Sequence, residues 1–336
     1  MNVKNLMNIY KNKRKFCVAP MMGYTTPHAR KLYRILSKKS FLFTEMIASK
    51  TMLYSKTKDL IIENNEQNPV ALQVGGSDTV DLAKCAKIAK SYNYDEINLN
   101  VGCPSKAVQQ GSFGACLMKN KTLVRQCLES MINACDIDVT IKCRIGLGKQ
   151  FNYDFFAEFI DEIIQSGINV IYVHARNAIL SGVSPKGNRT VPPLNYEFIK
   201  KIQSEHPQIQ FILNGGIDSI KKAYDLSNIY SGVMLGRLIQ QNPFSLNNID
   251  QLFFNIKKEK NINKKIIIEY FDYIKPIMGK DSIFRLLSPL LNIFFGIPNS
   301  KRYKSEIHKR MLNQEIKALE ALFLQFMGEE HKLAIN

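Results

Sequence analysis

The chain has 336 residues, 45% of them hydrophobic, a formal net charge of +17 and seven cysteines. That length accommodates one large domain and a small one, and its longest apolar runs, Ile266-Ile267-Ile268 and Phe294-Phe295, fall far short of the roughly 18 residues of a membrane span. The cysteines are odd in number, scattered and without a Cys-x-x-Cys pair, which disfavours a disulfide framework and a zinc site and fits a reducing compartment.

The charge has two readings. It fits a polyanionic partner such as nucleic acid, and it equally fits a lysine-, asparagine- and isoleucine-rich coding bias. The first fifteen residues carry Lys4, Lys11, Lys13, Arg14 and Lys15 but no apolar core of a secretory signal. They read as a frayed basic lead-in to the first strand, with an organelle presequence as the alternative.

In chain order, short β-rich runs then alternate with longer helical patterns. The runs are Phe16–Ala19, Phe41–Glu45, Val70–Val74, Glu96–Val101, Val139–Arg144, Val170–His174, Gln210–Leu213 and Gly232–Leu235. Eight nearly continuous apolar strands separated by helices predict an α/β fold, a (β/α)8 TIM barrel over residues 1–243. Cys17, Cys85, Cys127, Cys135 and Cys143 fall in apolar or helical patterns and read as small core residues. From 244 to 336 the pattern becomes amphipathic and helical, predicting a C-terminal α-helical domain; Gly296–Lys304 is a basic turn leading into a helix.

In such barrels chemistry gathers where the strands' carboxyl ends meet the following loops. The unusual residues fall there. Strand one ends in Pro20-Met21-Met22-Gly23 and strand two in Glu45. Strand three reaches Gln73 and Gly75-Gly76, and strand four Asn100 and Cys103. Lys142 and Arg144 close strand five, His174 and Arg176 strand six. Asn214-Gly215-Gly216 and Gly236-Arg237 close the last two. A lone lysine or histidine in an apolar strand can be a satisfied core group, since burying either unpaired is costly. Eight coincident strand ends are harder to explain that way.

Barrels often hold phosphate at the loops after strands seven and eight. Asn214-Gly215-Gly216 and Gly236-Arg237 suit that, because glycines let backbone N–H groups approach an anion and arginine offers a fork. A flavin ring would need donors at its N1–O2 edge; Lys142 is the candidate, with Gln73 and His174 as further hydrogen-bonding walls. A Gly-x-Gly-x-x-Gly dinucleotide fingerprint is absent, so an external reductant would have to visit the flavin.

Several segments carry a resemblance. They are Val18–Met21, Tyr94–Ser105 (Tyr-Asp-Glu-Ile-Asn-Leu-Asn-Val-Gly-Cys-Pro-Ser), Gly114–Met118, Lys142–Gly146, His174-Ala175-Arg176, Leu180–Lys186, Asn214–Ile217 and Gly236-Arg237. Together, from about Phe16 to about Lys304, they resemble the tRNA-dihydrouridine synthase family. The Ser184–Arg189 loop with Pro192-Pro193-Leu194 resembles its bacterial tRNA-dihydrouridine(20/20a) synthase branch. The resemblance implies reduction of uridine in the D-loop of tRNA, with hydride from reduced FMN to C6 and a proton to C5 from a cysteine, here Cys103. It implies FMN contacts at Pro20, Met21, Met22, Gln73, Lys142, His174, Asn214, Gly215, Gly216, Gly236 and Arg237, and NADPH as the transient reductant. Asn100 would hold the target base, and Lys186, Arg189, Lys301 and Lys304 would contact tRNA. The C-terminal domain would bind tRNA, and the protein would act in the cytoplasm as a monomer, without metal or membrane.

The thiol itself agrees with that role. An ordinary thiol, with a pKa near 8.5, is a usable general acid near neutral pH, although a lone cysteine is more often structural. Gln109–Gly114 follows as a possible lid. Three positions depart from the family: Thr25-Thr26 stands where Thr-Asp is usual, Asn177 where lysine is common, and Tyr303 where tryptophan is frequent. Two competing readings remain: a flavin barrel acting on a free dihydropyrimidine or dihydroorotate, and a non-catalytic RNA-binding barrel. The first would need neither the basic C-terminal domain nor the Ser-Pro-Lys loop, the second no flavin edge.

Overall fold

Each strand is short and almost wholly buried, so neither face can be left to solvent, a condition a parallel sheet can meet by closing on itself. In the computed structural model, which describes residues 13–57, 62–64, 67–149, 151–257, 262–294 and 300–333, it does so. The strands are β1 (Phe16–Val18), β2 (Leu42–Ala48), β3 (Val70–Gly75), β4 (Glu96–Val101), β5 (Asp138–Arg144), β6 (Val170–His174), β7 (Gln210–Asn214) and β8 (Gly232–Leu235). They are all parallel, in the order β1-β8-β7-β6-β5-β4-β3-β2. A parallel bridge between Cys17 and Phe41 joins the ends, with Val18 N donating to Phe41 O and Phe41 N to Phe16 O, both at 2.9 Å.

The expected strands are all present. β2 runs further than its sequence suggests, to Ala48, because a register shift between Phe43 and Met46 carries the polar pair Thr44-Glu45 through the strand. The helices between strands start where the sequence offers caps. Asp78, Asn120, Asn152, Asn195 and Ser219 each accept from the backbone N–H three residues on. Inside the barrel Phe43, Tyr172, Ile212 and Met234 form the apolar fill, with Phe43 and Tyr172 edge to face at 5.0 Å.

The foot of the barrel is charged. Arg14 is fully buried, with Nε donating to Glu96 Oε2 at 2.8 Å and Nη2 reaching Glu96 and Asp138. The basic lead-in is therefore not frayed at Arg14: the buried Glu96 carboxylate requires a counter-charge, and breaking such a pair costs about 3–5 kcal/mol. Lys13 follows, 3.5 Å from Asp95. The lead-in up to residue 12 lies outside the described residues. Of the cysteines expected in the core, Cys17, Cys85, Cys127 and Cys143 are buried. Cys135 is only half-buried, because it follows the Lys121–Ile132 helix in a surface turn.

Contacts divide the chain into two compact units. The barrel unit is residues 1–27 and 40–236; the second unit is residues 28–39 and 237–336. The division thus falls before the 243/244 boundary read from the sequence and adds a short early stretch to the helical unit. Within that unit His28 Nδ1 lies 2.8 Å from the Tyr273 hydroxyl, and Ser37 Oγ and Lys38 N donate to Asp250 at 2.5 and 2.7 Å. Its described α-helices are Pro27–Leu36 (from residue 28 on), Arg237–Gln241, Ile249–Phe254, Ile262–Ile274, Ile283–Leu291, Ser300–Leu312 and Ile316–Leu333. Tyr270, Phe271, Leu286, Leu290 and Phe323 on them are fully buried, with Phe271 against Phe323 at 5.9 Å and the Tyr270 hydroxyl donating to Leu286 O at 2.6 Å. The first residues of the expected basic turn, 296–299, lie outside the described residues. Among the described residues no helix is long and apolar enough to cross a membrane.

Candidate active site

Side chains that alternate along a barrel strand point alternately into the barrel, so one stripe of β4 carries Glu96, Asn98 and Asn100 inward. Asn100 is the last of these, and it holds the turn that follows. Its Oδ1 accepts from Gly102 N at 3.1 Å and from Cys103 N at 3.0 Å. Its Nδ2 donates to Gln73 Oε1 at 2.8 Å, so Gln73, Asn100 and Cys103 form one connected group. Gln73 and Asn100 are buried, whereas Cys103 is half-buried at the top of the strand.

The segment after the thiol is fastened back to it. Ser105 caps the Lys106–Gln110 helix, and Ala115 N donates to Cys103 O at 2.9 Å. That return needs Gly114, at φ 76°: a Cβ there would lie 2.7 Å from Cys103 O and 2.4 Å from Val108 Cγ1. The Gln109–Gly114 stretch is thus the end of a short helix and a turn. Its Gln109 Nε2 donates to Pro104 O at 2.9 Å and to Leu180 O at 3.0 Å.

Lys142 on β5 is the register partner of Asn100. Its Nζ donates to Asn214 Oδ1 at 3.0 Å, and Asn214 in turn donates to Met234 O at 2.7 Å, which fixes that amide's orientation. Burial, with the neighbouring Arg144 cation second, lowers the Lys142 pKa to about 8. This lysine is therefore a cation at neutral pH that a small rise in pH neutralises. His174 on β6 is register partner to both Arg144 and Asn214. Gly215 and Gly216 follow at φ 109° and 65°; a Cβ on Gly215 would sit 3.2 Å from the His174 ring and one on Gly216 2.2 Å from Leu194. A Cβ on Gly236 would sit 3.3 Å from Met21 Sδ. Pro20, Met21 and the exposed Met22 complete this rim. Thr25 secures it, accepting from Met21 N at 3.0 Å; the position that departs from the family pattern is the next one, Thr26.

Arg144 closes β5. It is buried, and its Nε donates to Gly102 O at 2.9 Å while Nη1 donates to Asn177 O and Asn188 O, both at 3.0 Å. One guanidinium thus ties the thiol turn to the loop bearing Lys186 and Arg189. Burial is the main reason its pKa falls to about 10. Asn188, fully buried, braces the same loop through Ile179 N and O at 2.8 Å each. Lys186 and Arg189 themselves point to solvent.

Arg237, Lys301 and Lys304 belong to the second unit, where Arg237 is exposed at the head of Arg237–Gln241 and both lysines are exposed on Ser300–Leu312. Tyr303, on the same helix, packs edge to face on Phe326 at 5.0 Å. A cleft of about 800 Å³ in the barrel unit is lined by Lys119, Leu147, Lys149, Phe155, Ile179 and Leu180, and contains none of the expected site residues.

Comparison with known proteins gives the same direction. Residues 17–327 match the family model described as dihydrouridine synthase. The chain is 38% identical over 320 residues to the tRNA-dihydrouridine(20/20a) synthase of Shewanella oneidensis, covering 94% of this chain and 95% of the relative. To the tRNA-dihydrouridine(20/20a) synthase of Vibrio cholerae it is 39% identical over 295 residues, covering 87% and 90%. Among solved structures, an old yellow enzyme homologue from Zymomonas mobilis superposes with TM-score 0.50 at 10% identity, covering 75% of this chain and 92% of that one, a likeness of fold alone.

Proposed function

The chain belongs to the dihydrouridine synthase family, and from that premise we propose that it reduces the C5–C6 double bond of uridine in the D-loop of tRNA, at positions 20 and 20a, with FMN bound and NADPH as the visiting reductant. The observation that carries this reading is the thiol turn: Cys103, half-buried, on a turn whose two N–H groups are held by Asn100, beside the Lys142–Asn214 pair.

The barrel unit's residues fit a flavin. Gly215 and Gly216 leave backbone where a side chain would collide, the concave setting in which N–H groups can meet a phosphate. Lys142, protonated below about pH 8, offers positive charge to an electron-rich ring edge, with Gln73 and His174 beside it. When bound, the flavin supplies the hydride that adds to C6 of the uracil ring.

The chain's own part is to hold the base and to move a proton. Asn100 and Gln73 are positioned amides that can pair with polar edges of a planar ring. Cys103 Sγ holds the proton that goes to C5 and is reprotonated from solvent once product leaves. A uridine inside folded tRNA must leave its stack to reach such a pocket. Recognition then rests on shape and phosphates, which the +17 charge and the exposed Lys186, Arg189, Lys301 and Lys304 support. The family match extends to residue 327, through the helical unit that an enzyme of free pyrimidines would not need. The cytoplasm, which keeps thiols reduced, suits the seven free cysteines.

The test is to map dihydrouridine in tRNA from cells lacking this protein. Loss at positions 20 and 20a alone is the expected result; unchanged modification there would refute the assignment.

A further inference from the structure

An unbroken chain of hydrogen bonds runs up the barrel from Glu96 to Cys103. Thr140 Oγ1 donates to Glu96 Oε1 at 2.6 Å, and Asn98 Nδ2 donates to Thr140 Oγ1 at 2.7 Å. Gln73 Nε2 donates to Asn98 Oδ1 at 2.8 Å, and Asn100 Nδ2 to Gln73 Oε1 at 2.8 Å. Asn100 Oδ1 then accepts from the Gly102 and Cys103 N–H groups at 3.1 and 3.0 Å. Glu96, Asn98 and Thr140 are fully buried, with Gln73 and Asn100 nearly so.

Every bond in this chain runs in the same sense, and both ends dictate it. At the foot, the Glu96 carboxylate is surrounded by donors: Arg14 Nε at 2.8 Å, Arg14 Nη2 at 2.7 Å, the Tyr172 hydroxyl at 3.2 Å and Thr140. It can only accept, so Thr140 must donate downward and has only lone pairs for Asn98. Asn98 must then present its NH2, leaving its oxygen for Gln73. The same logic passes through Gln73 to Asn100. At the top, backbone N–H groups can only donate, which demands the Asn100 oxygen. An amide otherwise flips at little cost; here a flip of Asn98 or Gln73 breaks two buried bonds and a flip of Asn100 breaks three bonds.

We propose that Glu96 and Thr140 are positioning residues that fix, through Asn98, the orientation of the Gln73 and Asn100 amides and the placement of the Cys103 turn. This rests on the reading of that turn as the site of uridine protonation. Neither residue touches substrate. Glu96 supplies the accepting end, and Thr140 converts a carboxylate into a directional hydroxyl.

The test compares Thr140→Val, which keeps the volume and removes the hydroxyl, with Thr140→Ser, which keeps the hydroxyl. Two quantities are read on each holoenzyme: alkylation of Cys103 by iodoacetamide, followed by peptide mass spectrometry, and dihydrouridine formation with tRNA. Thr140→Val should raise the Cys103 alkylation rate about threefold or more, as a turn that loses its anchor exposes the thiol. It should lower turnover at saturating tRNA about tenfold, the scale of a small misplacement of reacting groups, with KM for tRNA unchanged. Thr140→Ser should restore both. If Thr140→Val does not fold, Asn98→Ala, which leaves room for water, cuts the chain one link higher and is read the same way. Unchanged Cys103 alkylation in the cut chain, or failure of Thr140→Ser to restore it, overturns the relay whatever turnover does. Altered alkylation with normal turnover leaves the relay standing and removes the protonation role from Cys103.

Discussion

Arg144 Nε donates to the carbonyl oxygen of Gly102 at 2.9 Å, one peptide before Cys103, while its Nη1 bonds the Asn177 and Asn188 carbonyls in the loop that presents Lys186. A planar fork makes these bonds together; an ammonium cannot. Arg144→Lys should therefore strand at least one buried carbonyl, costing about 1–3 kcal/mol. Both the melting temperature and the rate of dihydrouridine formation should fall. A variant with wild-type values for both would show that the fork is dispensable.

Gly114 turns the chain back onto Cys103. Gly114→Ala would place a methyl 2.7 Å from the Cys103 carbonyl at a positive φ, so the turn must shift. Strain of this kind costs about 1–3 kcal/mol. The expected outcome is a larger loss of turnover than of FMN affinity, read by kinetics and by flavin titration. Equal losses would point to general unfolding instead.

Lys142 gives a pH dependence whose sign can be worked out. Its folded pKa of about 8 lies below its ordinary 10.5, so between those values the unfolded chain binds more protons than the folded one. Stability attributable to this residue rises with pH across that window and is flat below it. The difference in urea midpoint between flavin-free wild type and Lys142→Met, measured at pH 7 and pH 9.5, should move in favour of the wild type at the higher pH. A constant difference would mean that burial does not depress this lysine.

Lys186 is exposed beside the braced Asn188 turn, positioned for a phosphate. Lys186→Ala should weaken tRNA binding and reduce the slope of log K against log salt by about 1. An unchanged slope would mean that Lys186 makes no phosphate contact.

Much of this was legible in the sequence because parallel barrel strands are buried on both faces, and their apolar runs stop where chemistry begins. The positions of Cys103, Asn100, Lys142 and Asn214 at strand ends follow from that alone. The relay does not announce itself as clearly. Arg14 and Glu96 are 82 residues apart, and Arg14 reads as one more charge in a basic lead-in. A signal was available in the alternation Glu96-x-Asn98-x-Asn100, a polar stripe of period two on an otherwise apolar strand. Burying three such groups demands partners, although only the fold shows that Thr140 and Gln73 supply them. Arg144 is similar: the strand end flags it, but its carbonyl partners, Gly102 and the loop holding Asn177 and Asn188, lie far from it in the chain. The extension of β2 through Thr44 and Glu45 depends on a register shift that no local pattern encodes.

The central claim is that Cys103 delivers the proton to C5. The most direct measurement is single-turnover dihydrouridine formation by Cys103→Ala, using enzyme reduced beforehand and a tRNA lacking the modification. FMN content and tRNA affinity should stay near wild type while the rate falls about 10²- to 10⁴-fold, the contribution of a positioned general acid. A rate within a few-fold of wild type would contradict the account.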